Sequence, residues 1–234
     1  MLPTMTSHEA AELGADVAVL PVGSFEQHGR HLPLTTDSLI ATAIAERIAH
    51  DHGLFRLPVV TLGCSHEHAE FAGTVSIRAT TLYAVVNDVA ESLAKTGIRR
   101  ILIVNGHGGN YVLGNVVQEA NTTARRMALF PQSADWNDAR SGAGLQTSNH
   151  DDMHGGEAET SILLHRFPDI VRPDFPEADH LANDRRQLHT VGMLPYAPDG
   201  IIGLPSLATA DKGRRLLDAF SRLAKDHLAT LREQ

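Results

Sequence analysis

The chain has 234 residues, 42% hydrophobic and 21% charged, with a formal net charge of −8. That is enough chain for one substantial α/β domain with a buried core, and the acidic balance excludes the basic footprint that a nucleic-acid binder needs. A lone cysteine, Cys64, excludes an internal disulfide and points to the cytoplasm; no signal peptide opens MLPTMTSHEAAELG, and no apolar run reaches the roughly 20 residues of a membrane span.

Residues 17–22 form a short apolar run suited to a buried strand. From Ser38, apolar residues recur at Leu39, Ile40, Ala43, Ile44 and Ile48, the spacing of a helix, and Gly53 ends it. Residues 57–62 read as a second strand. Leu82, Val85, Val86, Val89 and Leu93 mark a second helix, closed by Gly97. The strand expected at 101–104 is rich in β-branched residues and lies between Arg99-Arg100 and Asn105-Gly106. A third helix is expected over 111–127, then a strand at 128–130. The polar stretch 135–153 reads as a long functional loop. Helices follow over 157–165 and 211–232. Alternating strands and helices predict a mostly parallel sheet covered on both faces, in one domain over 1–234. In such folds ligands bind outside the carboxyl ends of the strands. The chemically loaded segments fall there, after 22, 62 and 104 and before 154.

Of fourteen histidines, seven concentrate at 28–31, 66–68, 107 and 150–154, and imidazole is both a common metal ligand and a proton shuttle at neutral pH. Glu26 and His28, two apart in an extended stretch, point to one side. Asp37 precedes a helix, where an N-cap is its plainest role. Together the three suit a metal, and a carboxylate shared by two cations about 3.5–4 Å apart offsets their repulsion. The glycine-rich NGHGGN, residues 105–110, suggests a phosphate loop. However, G-x-G-x-x-G would need glycine where Tyr111 stands, and no G-x-x-x-x-G-K-[ST] occurs. The glycines instead allow close packing around His107 as a ligand. In DDMHGGEAETS, His154 beside two glycines is the candidate proton carrier, and Glu157 and Glu159 open a helix whose N-terminus favours carboxylates. His66 and His68 share one side of an extended segment; with Trp136 they are the candidate substrate contacts. Arg30 and His31 could touch an anionic substrate.

PVGSFEQHGRHLPLTTD, FAGTVS, NGHGGN and HGGEAETS, in this order, resemble the creatininase family of metal-dependent amidohydrolases. The resemblance implies a three-layer α/β/α sandwich, a homohexamer, and two divalent ions per chain, of zinc, manganese or iron. By position, Glu26 and His107 would hold one ion, His28 the other, and Asp37 would bridge them. It also implies that a metal-bridged hydroxide cleaves a cyclic amide or formamide C–N bond of a small molecule. His154 would then protonate the leaving nitrogen, with Glu159 orienting it. A peptidase releasing a C-terminal fragment of a modified precursor peptide, of mycofactocin type, is the alternative, and a non-catalytic metal- or ligand-binding relative is a third reading. Creatininase carries a glutamate ligand in the stretch matching Gly108-Gly109, and tryptophans near its catalytic histidine. This chain has neither there, so creatinine is not the expected substrate. Glu157, three residues after His154, is the expected replacement for the lost ligand of the second metal.

Overall fold

The computed structural model describes residues 2–233 as α1 (Ser7–Leu13), β1 (Val17–Val22), α2 (Thr36–His52), β2 (Phe55–Arg56), α3 (Ala79–Lys95), β3 (Arg100–Asn105), α4 (Val112–Ala120), β4 (Met127–Phe130), α5 (Ser133–Ala143), α6 (Glu157–Arg166), α7 (Leu188–Val191) and α8 (Ala210–Arg232). The four strands are parallel in the order β2-β1-β3-β4. Successive side chains of a strand point to opposite faces, so each central strand feeds two cores. Val17, Val19, Leu102 and Val104 pack under α2, α5, α6 and α8, while Ala18, Leu20, Ile101 and Ile103 pack under α3 and α4. This is the expected three-layer α/β/α sandwich. No helix among the described residues is long and apolar enough to cross a membrane.

The register positions the site. Val22 pairs with Asn105, so the loops after β1 and β3 leave the sheet side by side. Both then press against the first turn of α2. A Cβ at Gly23 would lie 2.5 Å from the Ser38 Cα, and one at Gly106 would lie 2.4 Å from the Asp37 carbonyl oxygen. Only glycine at these two positions lets the strand ends close on the helix that carries Asp37.

Three expected elements differ. The strand at 57–62 is reduced to Phe55–Arg56 and one bridge between Val60 and Val22. Pro58 has no N–H to give a ladder, which explains the gap. The third helix stops at Ala120 rather than 127, because the Asn121 side chain accepts from the Arg126 and Met127 N–H groups and donates to the Met127 carbonyl. The expected loop 135–153 is helical in its first half. Its polar composition hides Trp136, Ala139, Arg140 and Ala143, which recur at helical spacing, and Gly144 ends α5 in the left-handed region.

Candidate metal centre

Six polar side chains meet beyond the strand ends: Glu26 and His28 from the loop after β1, Asp37 from α2, His68 from a short turn at His66–His68, His107 from the loop after β3, and His154 before α6. All are at most 5% exposed. Asp37 lies at the middle. Its Oδ1 is 3.0 Å from His28 Nε2, its Oδ2 is 3.1 Å from His107 Nδ1, and Ser24 Oγ donates to Oδ2 at 2.5 Å. It sits inside the first turn of α2, with Thr35 at the N-cap, so capping is not its role.

Glu26 is the unusual member. It is fully buried, and neither carboxylate oxygen accepts a hydrogen bond. Yet His107 Nδ1, His68 Nε2 and His154 Nδ1 stand 3.1, 3.3 and 3.8 Å from its Oε1. Close approach without hydrogen-bond geometry means that these atoms converge on a common point rather than on one another. A bare buried carboxylate is costly unless something positive meets it.

The outer nitrogens set the tautomers. His28 Nδ1 donates to the Glu26 carbonyl, His107 Nε2 to the Cys64 carbonyl and His154 Nε2 to the Gln27 carbonyl, so each inner nitrogen is turned into the cluster. Outer hydrogen bonds of this kind orient metal-ligating histidines. His68 is wired the other way. Its Nδ1 accepts from Gln27 Nε2 at 2.9 Å, so its Nε2 carries the proton and faces Glu26.

The charges agree with this geometry. Burial opposes charge on His28, but Asp37, with Glu159 and Glu26, raises it to about 9. Burial also opposes charge on His107, and Glu26 and Asp37 lift it well above the ordinary range. Two deeply buried imidazoles that attract protons mark two places where the site calls for positive charge. Burial drives His68 down to about 4 and His154 well below its ordinary value, so both are neutral. Burial raises Glu159 to about 7, with His28 opposing and Asp37 adding. Carboxylate and imidazole donors, in triads whose atoms lie within 4.8 Å, suit a borderline divalent cation.

Glu157 and Glu159 part company. Glu159 Oε2 stands 3.7 Å from His28 Nε2 and accepts the Gly155 N–H at 2.7 Å. Glu159 also stands with His28 and His154 in one group whose ligand atoms lie within 4.8 Å of one another. Glu157 is buried but turned away from the cluster. It accepts from the Gln146 and Thr147 N–H groups and Thr147 Oγ1, and is paired with Lys212 of α8. Its expected place as a metal ligand is therefore corrected: the site-facing glutamate is Glu159. Two residues apart on a helix lie about 200° apart, so one of them had to face away.

The other expectations divide. His68 is in the cluster, whereas His66 is exposed outside it. Trp136 lines a cleft of about 280 Å³ beside the cluster, together with His107, Arg140, Asp152, Met153 and Glu159. His154 is held by the Gln27 carbonyl at 2.7 Å. Arg30 is exposed beside Asp199. His31 is fully buried, its Nε2 bonded to the Gly155 carbonyl and Thr160 Oγ1, so it braces the fold rather than meeting a substrate. The sequence reading missed Gln27. Its amide bridges His68 and the Gly200 carbonyl, and its Oε1 accepts the Gly29 N–H. A polar residue flanked by Glu26 and His28 in one loop was the available signal.

A sequence model of creatininase (creatinine amidohydrolase) matches residues 3–226. The chain is 35% identical over 241 residues to a mycofactocin precursor peptide peptidase of Mycobacterium ulcerans, covering 96% of this chain and 90% of that one. It is 29% identical to a creatinine amidohydrolase of Pseudomonas putida, with coverage of 92% and 90%. A crystal structure of creatinine amidohydrolase superposes with a TM-score of 0.83 at 26% identity, over 97% of this chain and 95% of that one. Creatininase structures of the same fold include a manganese form and a Zn–Zn form.

Proposed function

The chain belongs to the creatininase family of metal-dependent amidohydrolases, and we propose that it hydrolyses an amide C–N bond at a centre of two divalent cations. The observation that carries this reading is Asp37, whose two oxygens face different imidazoles, His28 at 3.0 Å and His107 at 3.1 Å. Glu26, Asp37 and His107 would hold one cation, and His28, Asp37 and Glu159 the other. Zinc, manganese and iron all accept such donors. Bound there, the pair would bring the pKa of water toward neutrality and polarise a carbonyl oxygen.

The chain's own residues supply the rest. The Gln27 carbonyl fixes the His154 ring, so its neutral Nδ1 can accept a proton and return it to the departing nitrogen. The His68 N–H faces Glu26 Oε1 at 3.3 Å and borders that carboxylate. The buried walls shield the cluster from bulk solvent and hold the local dielectric low.

For substrate we propose first an amide near the C-terminus of a precursor peptide. Identity to the mycofactocin precursor peptide peptidase, 35%, exceeds that to the creatinine amidohydrolase, 29%, at similar coverage. The small cyclic amide or formamide suggested by the motifs is the second reading, favoured by the modest cleft of about 280 Å³. Metal-loaded protein offered precursor-type peptides, lactams and formamides, with and without chelator, decides between them. The expected result is peptide cleavage that stops on chelation and returns with manganese or zinc, at about two metal equivalents per chain by elemental analysis. Turnover that survives exhaustive chelation would overturn the metal reading. Hydrolysis confined to lactams or formamides would overturn the peptide reading alone. A closed homo-oligomer in the cytoplasm is also proposed. It is supported by the exposed Leu62, Val75, Tyr111 and Val191 and by the lone buried Cys64. Sedimentation as a monomer at micromolar concentration would sink the oligomer.

A further inference from the structure

A groove of about 620 Å³, larger than the cleft beside the histidines, lies at the opposite end of the sheet, where β3 and β4 begin. Its chemistry follows from a repeated dipeptide. Arg99-Arg100 leads into β3 and Arg125-Arg126 leads into β4. The parallel register pairs Ile101 with Met127, and the Ile101 N–H donates to the Arg126 carbonyl at 2.8 Å. Neighbouring strands lie about 4.8 Å apart, so the two Arg-Arg pairs stand abreast. All four arginines line the groove, over a floor that includes Ile101, Met127, Ala90 and Ala120.

Their charge is poorly answered. Glu91 is the one carboxylate in the groove lining. Arg125 is paired with Glu233 and the Thr230 carbonyl. Arg100 reaches only to 3.9 Å from Asp16, which Arg232 already engages at 2.8 and 2.9 Å. Arg99 and Arg126 are exposed and have no carboxylate partner among the described residues. The guanidiniums of Arg99 and Arg126 are therefore left without a carboxylate and repel their neighbours in the groove. An anion seated among them would remove the repulsion. Guanidinium forks match phosphoryl oxygens two at a time, and the volume is that of a small-molecule pocket rather than a macromolecular face.

We propose that this groove binds a small organic phosphate between Arg99 and Arg126, the two guanidiniums left without a carboxylate, at a site separate from the histidine–carboxylate cluster. Titration calorimetry of the metal-loaded protein with fructose 1,6-bisphosphate as probe, at fixed ionic strength, tests it. One saturable site per chain is expected. Affinity should fall at least about tenfold in the Arg99→Gln/Arg126→Gln double variant, the loss of roughly one charge-assisted contact. It should be unchanged in Glu159→Gln, because that residue lies at the other end of the sheet. The single variants Arg99→Gln and Arg126→Gln give the same reading should the double variant melt early. No saturable binding at millimolar probe, equal affinity in the arginine variants, or equal binding of sulfate at matched ionic strength would each overturn the proposal.

Discussion

Glu26 and His28 are two residues apart, and so are Glu157 and Glu159, yet the two regions treat that spacing in opposite ways. After β1 the chain runs extended, pinned by bridges from Phe25 to Val75 and from His28 to Leu32, and both side chains reach the same cluster. At the start of α6 the chain is helical, and a step of two turns the second glutamate roughly to the far side. Glu159 faces His28, while Glu157 faces Lys212 and Thr147. One acid–acid or acid–imidazole spacing in sequence is thus a pair of ligands on extended backbone and a division of labour on a helix. The first region builds the site; the second splits between completing it and fastening the 144–152 segment to α8.

The sharpest way to break the first region is Asp37→Ala. Removing the carboxylate between His28 and His107 should empty both cation positions and reduce turnover to background, well beyond the roughly 10–100-fold cost of losing an outer-shell partner. Elemental analysis and kinetics of the same preparation check it, and retention of one full equivalent would show that Asp37 does not bridge.

The second region is sharpened by a matched pair. Glu159→Gln should lower metal affinity and turnover at least about tenfold with little change in melting temperature. Glu157→Gln should do the reverse. It keeps the shape but leaves a charge-assisted network short of its anion, a loss of about 1–3 kcal/mol, or roughly 2–12 °C for a chain of this size. If the two phenotypes are exchanged, the assignment of the two glutamates is reversed.

How far the site was legible follows the same division. The residues that share the extended loop, and His107 at the end of the strongest strand, could be placed from period and position alone. β1 and the ends of α2 and α8 were legible for the same reason, since their apolar periods are uninterrupted. The orientation of a glutamate at a helix start was not, because it depends on where helical winding begins, and α6 starts at Glu157 itself. α5 was hidden because Asp135, Asn137 and Asp138 mask a helix whose buried face is small, and Pro58 removed a strand that composition alone suggested. His31 was misread since no local pattern says that a histidine between two ligand segments is buried against a distant carbonyl.

That histidine supplies the smallest effect and joins the two regions. His31 leaves the loop after β1 and its Nε2 reaches Gly155 and Thr160, so it braces the extended region against the helical one. Burial lowers it to about 4; the Gly155 carbonyl and Asp174 oppose this, and His28 adds to it. The folded protein therefore holds His31 neutral, while the unfolded chain takes up a proton as pH falls below 6.5. The unfolded state binds more protons between those values, so stability rises with pH across the window. The contribution is complete above 6.5 and is lost progressively as pH falls toward 4, up to about 3 kcal/mol. His31→Gln keeps a donor for the Gly155 carbonyl but has nothing to titrate. Denaturant melts at pH 7.5, 6 and 4.5 should show the wild type losing stability more steeply than the variant, by up to one proton in the slope. Parallel slopes would mean that the brace between the two regions is not what acid first breaks.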